Sequence, residues 1–215
     1  MNATAKDLVV LCACKDGEFA VRGLLSRHKA IGIRPIVFKI LRYSSEKDNG
    51  CLNKADEFLR TMTNQYNYAL VLFDKDGCGR EARNRVELEG VVRGKLSRSG
   101  WNERADVIVI EPELEVWVWS DSPEVDECLG WRGKTPNVRE WIKQNKNAFW
   151  PDDTPKPLRP KEAMQAAMKK AGKQRSSSIY QKLGEKVSVE RCVDPAFLKL
   201  KSRLQEWFPA EAIDT

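Results

Sequence analysis

Short runs of unbroken apolar residues alternate along this chain with stretches in which apolar positions recur every three or four residues. The runs are DLVVLCA (7 to 13), RPIVFKI (34 to 40), ALVLFD (69 to 74) and ADVIVIEP (105 to 112). They lack polar alternation, so they read as strands buried on both faces. Between them, residues 17 to 29 place Phe19, Val21, Leu24, Leu25 and His28 at helical spacing. Residues 55 to 66 do the same with Phe58, Leu59 and Met62, and residues 83 to 100 read as a long helix stopped by Gly100. Buried strands separated by amphipathic helices are the pattern of a doubly wound α/β domain with a mainly parallel sheet.

The texture changes after Asp121. SPEVDECLGWRGKTPN is rich in turn formers, VREWIKQNKNAFW is helical in pattern, and PDDTPKPLRP holds four prolines in ten residues. Helices are then expected over 160 to 171, 177 to 184 and 195 to 207. Residues 1–121 thus form the expected α/β domain, and 122–215 a helical C-terminal extension packed on it. Trp131, Trp141, Trp150 and Trp207 of this extension are expected in its core, with base stacking the less favoured use.

With 215 residues, 41% of them hydrophobic and 32% charged, the chain can bury one sizeable core. No apolar stretch approaches the roughly 20 residues that span a bilayer, and the charged N-terminal segment does not resemble a signal peptide. A cytoplasmic protein without a membrane partner is expected. Six scattered cysteines and a single histidine, His28, make a zinc site or a histidine-activated nucleophile hard to build. Reduced, structural cysteines follow. Ser176 to Ser178 and Tyr180 have no evident base beside them, so a helix cap accounts better for the serines.

The candidate chemistry is acidic. Ligand sites in parallel α/β sheets form beyond the carboxyl ends of the strands, and acids stand at three of those ends: Asp16 and Glu18, then Asp74 and Asp76, then Glu111, Glu113 and Glu115. Neighbouring carboxylates repel unless a cation neutralises them, and oxygen donors point to Mg2+ or Mn2+. Asp-X-Asp-Gly at a strand end is also an ordinary turn; the acids at the other two ends favour the metal. Gly77 and Gly79 would let the chain turn and leave room for a phosphate. The net charge of +6 is compatible with an anionic partner. Within 156 to 175, the cations Lys156, Arg159, Lys161, Lys169, Lys170, Lys173 and Arg175 stand against Glu162 alone. Either a solvated helix face or a phosphate-contacting face would look like this.

A strand followed by an acid at a helix start, two βα units in all, then a strand ending in Asp-X-Asp-Gly resembles the Toprim domain of topoisomerases, primases and OLD-type nucleases. Glu113-Leu114-Glu115-Val116-Trp117 after the fourth strand, with KPLRPKEAM and RSSSIYQKLGEKVSVERCVDPAF later, is similar to small stand-alone Toprim-like proteins of bacterial phage-defence loci, in particular the Toprim-like component of methylation-associated systems.

The resemblance implies a metal-dependent nuclease of antiphage defence. Asp74, Asp76 and Glu18 would be catalytic, with Asp16, Glu113 and Glu115 as further metal ligands. Lys75, Arg80, Arg83, Lys156, Arg159, Lys161 and Arg175 would meet nucleic acid, with screening of the neighbouring acids the alternative role of Lys75 and Arg80, and other defence proteins are implied partners. One departure stands out: the family's glutamate at the first strand tip falls on Cys14, a poor magnesium ligand. A catalytically inactive scaffold or binding subunit is therefore the alternative. A haloacid-dehalogenase-like phosphatase ranks third, because Cys78 follows Asp-X-Asp-Gly where those enzymes usually have threonine.

Overall fold

The computed structural model describes residues 5–210. The outermost ends of both expected units, 1–4 and 211–215, lie outside the described residues. Four strands, β1 (Lys6–Cys12), β2 (Phe38–Arg42), β3 (Tyr66–Asp74) and β4 (Ala105–Ile110), form one all-parallel sheet in the order β2-β1-β3-β4. The second strand sits later than the 34 to 40 run suggested, because Pro35 offers no amide to a ladder and pairing with β1 begins at Leu8 opposite Phe38.

Side-chain alternation divides the sheet between two cores. Leu8, Val10 and Cys12 of β1, with Leu70, Leu72, Ile108 and Ile110, face one; Val9, Leu11, Val71, Phe73, Val107 and Val109 face the other. Helices α3 (Lys47–Leu59) and α4 (Arg85–Leu96) cover the second face. On the first lie α1 (Lys15–Leu25), the short α2 (His28–Ile31) and the C-terminal helices. The fold is therefore a doubly wound α/β sheet with C-terminal helices on one side.

Local chemistry sets the helix ends. Asn84 and Glu87 form a reciprocal capping box at the start of α4. The expected helix to residue 100 ends regularly at Leu96, and a wider turn over Ser97–Trp101 contains Gly100 at φ 101°, which glycine tolerates. The second expected helix starts eight residues earlier than its apolar pattern, at Lys47, since Gly50, Cys51 and Leu52 are its buried face.

Beyond β4 come α5 (Glu115–Val118), α6 (Pro123–Cys128), α7 (Val138–Asn145), α8 (Pro160–Ala171), α9 (Ser177–Lys186) and α10 (Pro195–Trp207). Their apolar residues share a continuous cluster with β1, β3 and β4. Trp131, Trp150 and Trp207 are buried in it, and Trp141 is half-buried against Trp131. Helix α9 crosses α1 so closely that a Cβ on Gly23 would lie 2.2 Å from the Gln181 carbonyl oxygen, and one on Gly184 would lie 2.6 Å from that of Ala20. This crossing carries the start of α9 to the carboxyl end of the sheet. All six cysteines are free thiols, and among the described residues no helix is long and apolar enough to cross a membrane.

Candidate active site

The strand order reverses between β1 and β3, with α1 on one face and α3 and α4 on the other, which is where doubly wound sheets open a crevice. Ala13, Cys14, Gly17, Asp48, Asp74 and Leu114 line it. Cys14 is the N-cap of α1, its Sγ accepting from the Gly17 amide at 3.3 Å. Burial, with Asp74, Asp16 and Asp48 nearby, pushes its thiol up to about 12. Cys14 is thus a neutral helix cap at physiological pH.

Asp74 ends β3, and its amide donates to Asp48 Oδ1 at 2.8 Å. Burial holds the Asp74 carboxyl well above the ordinary range, and Asp48, Glu115 and Glu113 push it further; Lys161 opposes them. Asp48, in the first turn of α3, is raised by burial, which outweighs its bond to the Asp74 amide. Asp76 is exposed on the loop that follows, raised by burial and by Glu81 against Lys75 and Lys161.

The remaining acids are neutralised from within. Asp16 accepts from Arg175 Nη2 and Ser177 Oγ, both at 2.6 Å. Glu18 pairs with Arg22 one turn along α1 at 3.1 Å. Glu113 accepts from the Lys161 ammonium at 2.5 Å and from its amide at 3.1 Å. Buried Glu115 accepts from the Tyr180 hydroxyl at 2.6 Å and from Arg175 at 3.2 Å. Glu111 pairs with Lys75. Among the described residues Asp48, Asp74 and Asp76 make no ion pair, which sets them apart from Asp16, Glu18, Glu111, Glu113 and Glu115.

Two expectations change here. Most of the cations expected to meet nucleic acid are engaged by groups of the chain itself. Lys156 is half-buried and donates to the Val116 carbonyl at 3.0 Å, Arg159 pairs with Glu162, and Lys161, Arg175 and Lys75 serve the acids just described. Arg80 and Arg83, in the loop after β3, and Lys169, Lys170 and Lys173 make no ion pair among the described residues. The space expected for a phosphate beside Gly77 and Gly79 is also taken. Both amides donate to Glu81 Oε1, at 3.1 and 2.9 Å, so a carboxylate of the chain itself fills that anion-accepting turn.

Asp48 was not among the acids the sequence singled out. It follows β2, the one strand end not surveyed for acids, and the same logic applied to SSEKD would have found it. Asp48 and Asp74 are hard oxygen donors whose carboxyls are raised where an added cation would lower them, so they fit Mg2+ or Mn2+ in chemistry. The ligand set is not preassembled: among the described residues no three His, Cys, Asp or Glu side chains converge closely enough to hold an ion.

Compared with family models, curated proteins and solved structures, the chain matches none.

Proposed function

We propose that this chain is a Toprim-like, Mg2+- or Mn2+-dependent phosphodiesterase acting on nucleic acid in bacterial antiphage defence. The observation that carries the reading is the absence of ion pairs among the described residues on Asp48, Asp74 and Asp76 at the switch point of the sheet, beside Asp16, Glu18, Glu111, Glu113 and Glu115, which are paired with cations of the chain itself. The role in defence rests on the resemblance through Asp74-Lys75-Asp76-Gly77 and Glu113 to Trp117.

The chemistry that a bound divalent ion supplies at such a site is polarisation of a phosphodiester and a lowered pKa for attacking water. Asp74 and Asp48 would hold the ion from the end of β3 and the start of α3. Asp76, exposed on the loop, would join them only after the loop moves toward the ion. The Lys161 ammonium, held by Glu113, limits the negative charge facing a phosphate. Arg80 and Arg83 offer exposed guanidinium groups to the substrate backbone.

A second reading, a scaffold or binding subunit of a defence complex that has no catalysis of its own, is favoured by Arg175 and Lys161. They neutralise Asp16, Glu115 and Glu113, three of the expected ligands, and Cys14 supplies no oxygen. Cleavage of plasmid and single-stranded DNA with Mg2+ and Mn2+, comparing wild type with the Asp74→Asn, Asp76→Asn double variant, separates the two. The nuclease reading expects metal-dependent cleavage that the variant loses; no cleavage by wild type favours the scaffold.

A further inference from the structure

The two edges of the sheet are finished differently. Along β4, side chains satisfy the outward main-chain groups. The Val107 amide donates to Asp106 Oδ1 at 2.7 Å, the Val109 amide to Glu89 Oε1 at 3.1 Å, and Lys199 Nζ donates to the Val107 carbonyl at 2.7 Å. An edge capped in this way offers another strand little of a ladder.

The β2 edge has no such cap. Leu8 donates to the Val37 carbonyl and Tyr43 donates to the Cys12 carbonyl, so Val37, Lys39, Leu41 and Tyr43 direct their main-chain groups toward β1. The pleat then turns the N–H and C=O groups of Phe38, Ile40 and Arg42 away from the sheet. Among the described residues no hydrogen bond reaches them. Val37, at the head of this edge, is 59% exposed.

The segment that carries this edge has charge of one sign, although Asp7 of β1 accepts from the Val37 amide at its head. From Phe19 to Ser45 the sequence contains no Asp or Glu, while Arg22, Arg27, Lys29, Arg34, Lys39 and Arg42 fall within it. Arg22 is paired with Glu18, Arg34 with Asp7, and Arg27 donates to the carbonyls of Gly184 and Val187. Lys29, Lys39 and Arg42 are exposed and make no ion pair among the described residues. A second copy of β2 would bring these cations against their own kind. An acidic strand would pair with them while its main chain filled the open ladder.

We propose that the outer edge of β2 docks an extended, acidic segment of a partner protein, which adds to the sheet as a further strand. The open main-chain row is what favours a polypeptide over a nucleic acid, since a phosphate backbone meets the cations and leaves alternate amides unpaired. The surface is independent of the acids at the strand ends, and its test does not involve them.

The test is amide hydrogen exchange on the full chain, with a short peptide of alternating glutamate and valine as probe. The peptide is expected to slow exchange at Phe38, Ile40 and Arg42 by about tenfold or more while leaving Lys39 and Leu41 unchanged. Replacing the two exposed cations of β2 itself, Lys39→Glu with Arg42→Glu, should weaken binding by about tenfold or more, as should N-methylation of alternate peptide amides. Four results would overturn the proposal: no protection at millimolar peptide, equal protection by the N-methylated peptide, protection by an oligothymidylate instead, or self-association of the chain through β2.

Discussion

Asp48 accepts the backbone amide of Asp74 at 2.8 Å, so one acid anchors the strand end that carries the other. The contact brings the Asp48 carboxyl to the strand end that bears Asp74, and each carboxyl is raised from its ordinary value, by burial first.

Asp74 therefore opposes folding at neutral pH. Its folded-state pKa lies above the unfolded one, so its contribution to stability is fully present below about pH 4 and is lost as pH rises through the folded value. Without divalent ions, Asp74→Asn is expected to melt higher than wild type at pH 8, by about 2 to 4 °C for roughly each kcal/mol recovered. The gain should shrink as pH falls. Melting curves at pH 5 and pH 8 check this, and a lower melting temperature for the variant at pH 8 would contradict it.

Asp106 shows the opposite sign. Burial disfavours its charge, but Lys199, the Val107 amide and Arg203 outweigh burial and hold the carboxyl below its ordinary value. Its stabilisation is present above about pH 4 and is lost as pH falls below that. Lys199→Met should destabilise the fold by about 2 to 4 kcal/mol at pH 7, because Asp106 and Glu89 are then buried with fewer partners. The difference from wild type should narrow in acid. Urea unfolding across pH 3 to 7 measures both effects.

Around Glu115, the tyrosine should matter more than the arginine. The Tyr180 hydroxyl is kept protonated by burial and by Glu115, and it donates within the core. Tyr180→Phe should cost about 1 to 2 kcal/mol. Arg175 is 42% exposed on its side chain, and Arg175→Met should cost about 1 kcal/mol or less. Equilibrium unfolding of the two variants checks the order, and a larger loss for Arg175→Met would show that the ion pair dominates.

The α1 and α9 crossing leaves no room for a methyl group. In Gly23→Ala the new Cβ meets main-chain oxygen, which cannot rotate away, so α9 must shift. The expected loss is about 1 to 3 kcal/mol, with Ser177 and Arg175 drawn off Asp16. Thermal unfolding reads the loss, and proteolysis within 173 to 178 reads the shift.

Much of the architecture was legible because strands buried on both faces are continuous apolar runs, as in Val107 to Ile110, and because Pro160 with Gly172 and Asp194 with Pro195 mark the ends of α8 and α10. The first turns of α3 were obscured by Lys47, Asp48, Asn49 and Gly50, whose polarity reads as loop. The site was legible only in its local part. Asp74 and Asp76 announce themselves, but Arg175 reaches Asp16 across 159 positions and Lys161 reaches Glu113 across 48, and no spacing rule links such pairs. Their effect is to spend on internal pairing the cations that composition alone would leave at the surface.

The central claim, a divalent-metal site at Asp48 and Asp74, is tested most directly by Mn2+ titration of the metal-free chain followed by electron paramagnetic resonance, with Asp48→Asn and Asp74→Asn beside wild type. The expected result is saturable binding by wild type that weakens about tenfold or more in each variant. Binding that neither substitution changes, or no binding by wild type at millimolar Mn2+, would contradict the account.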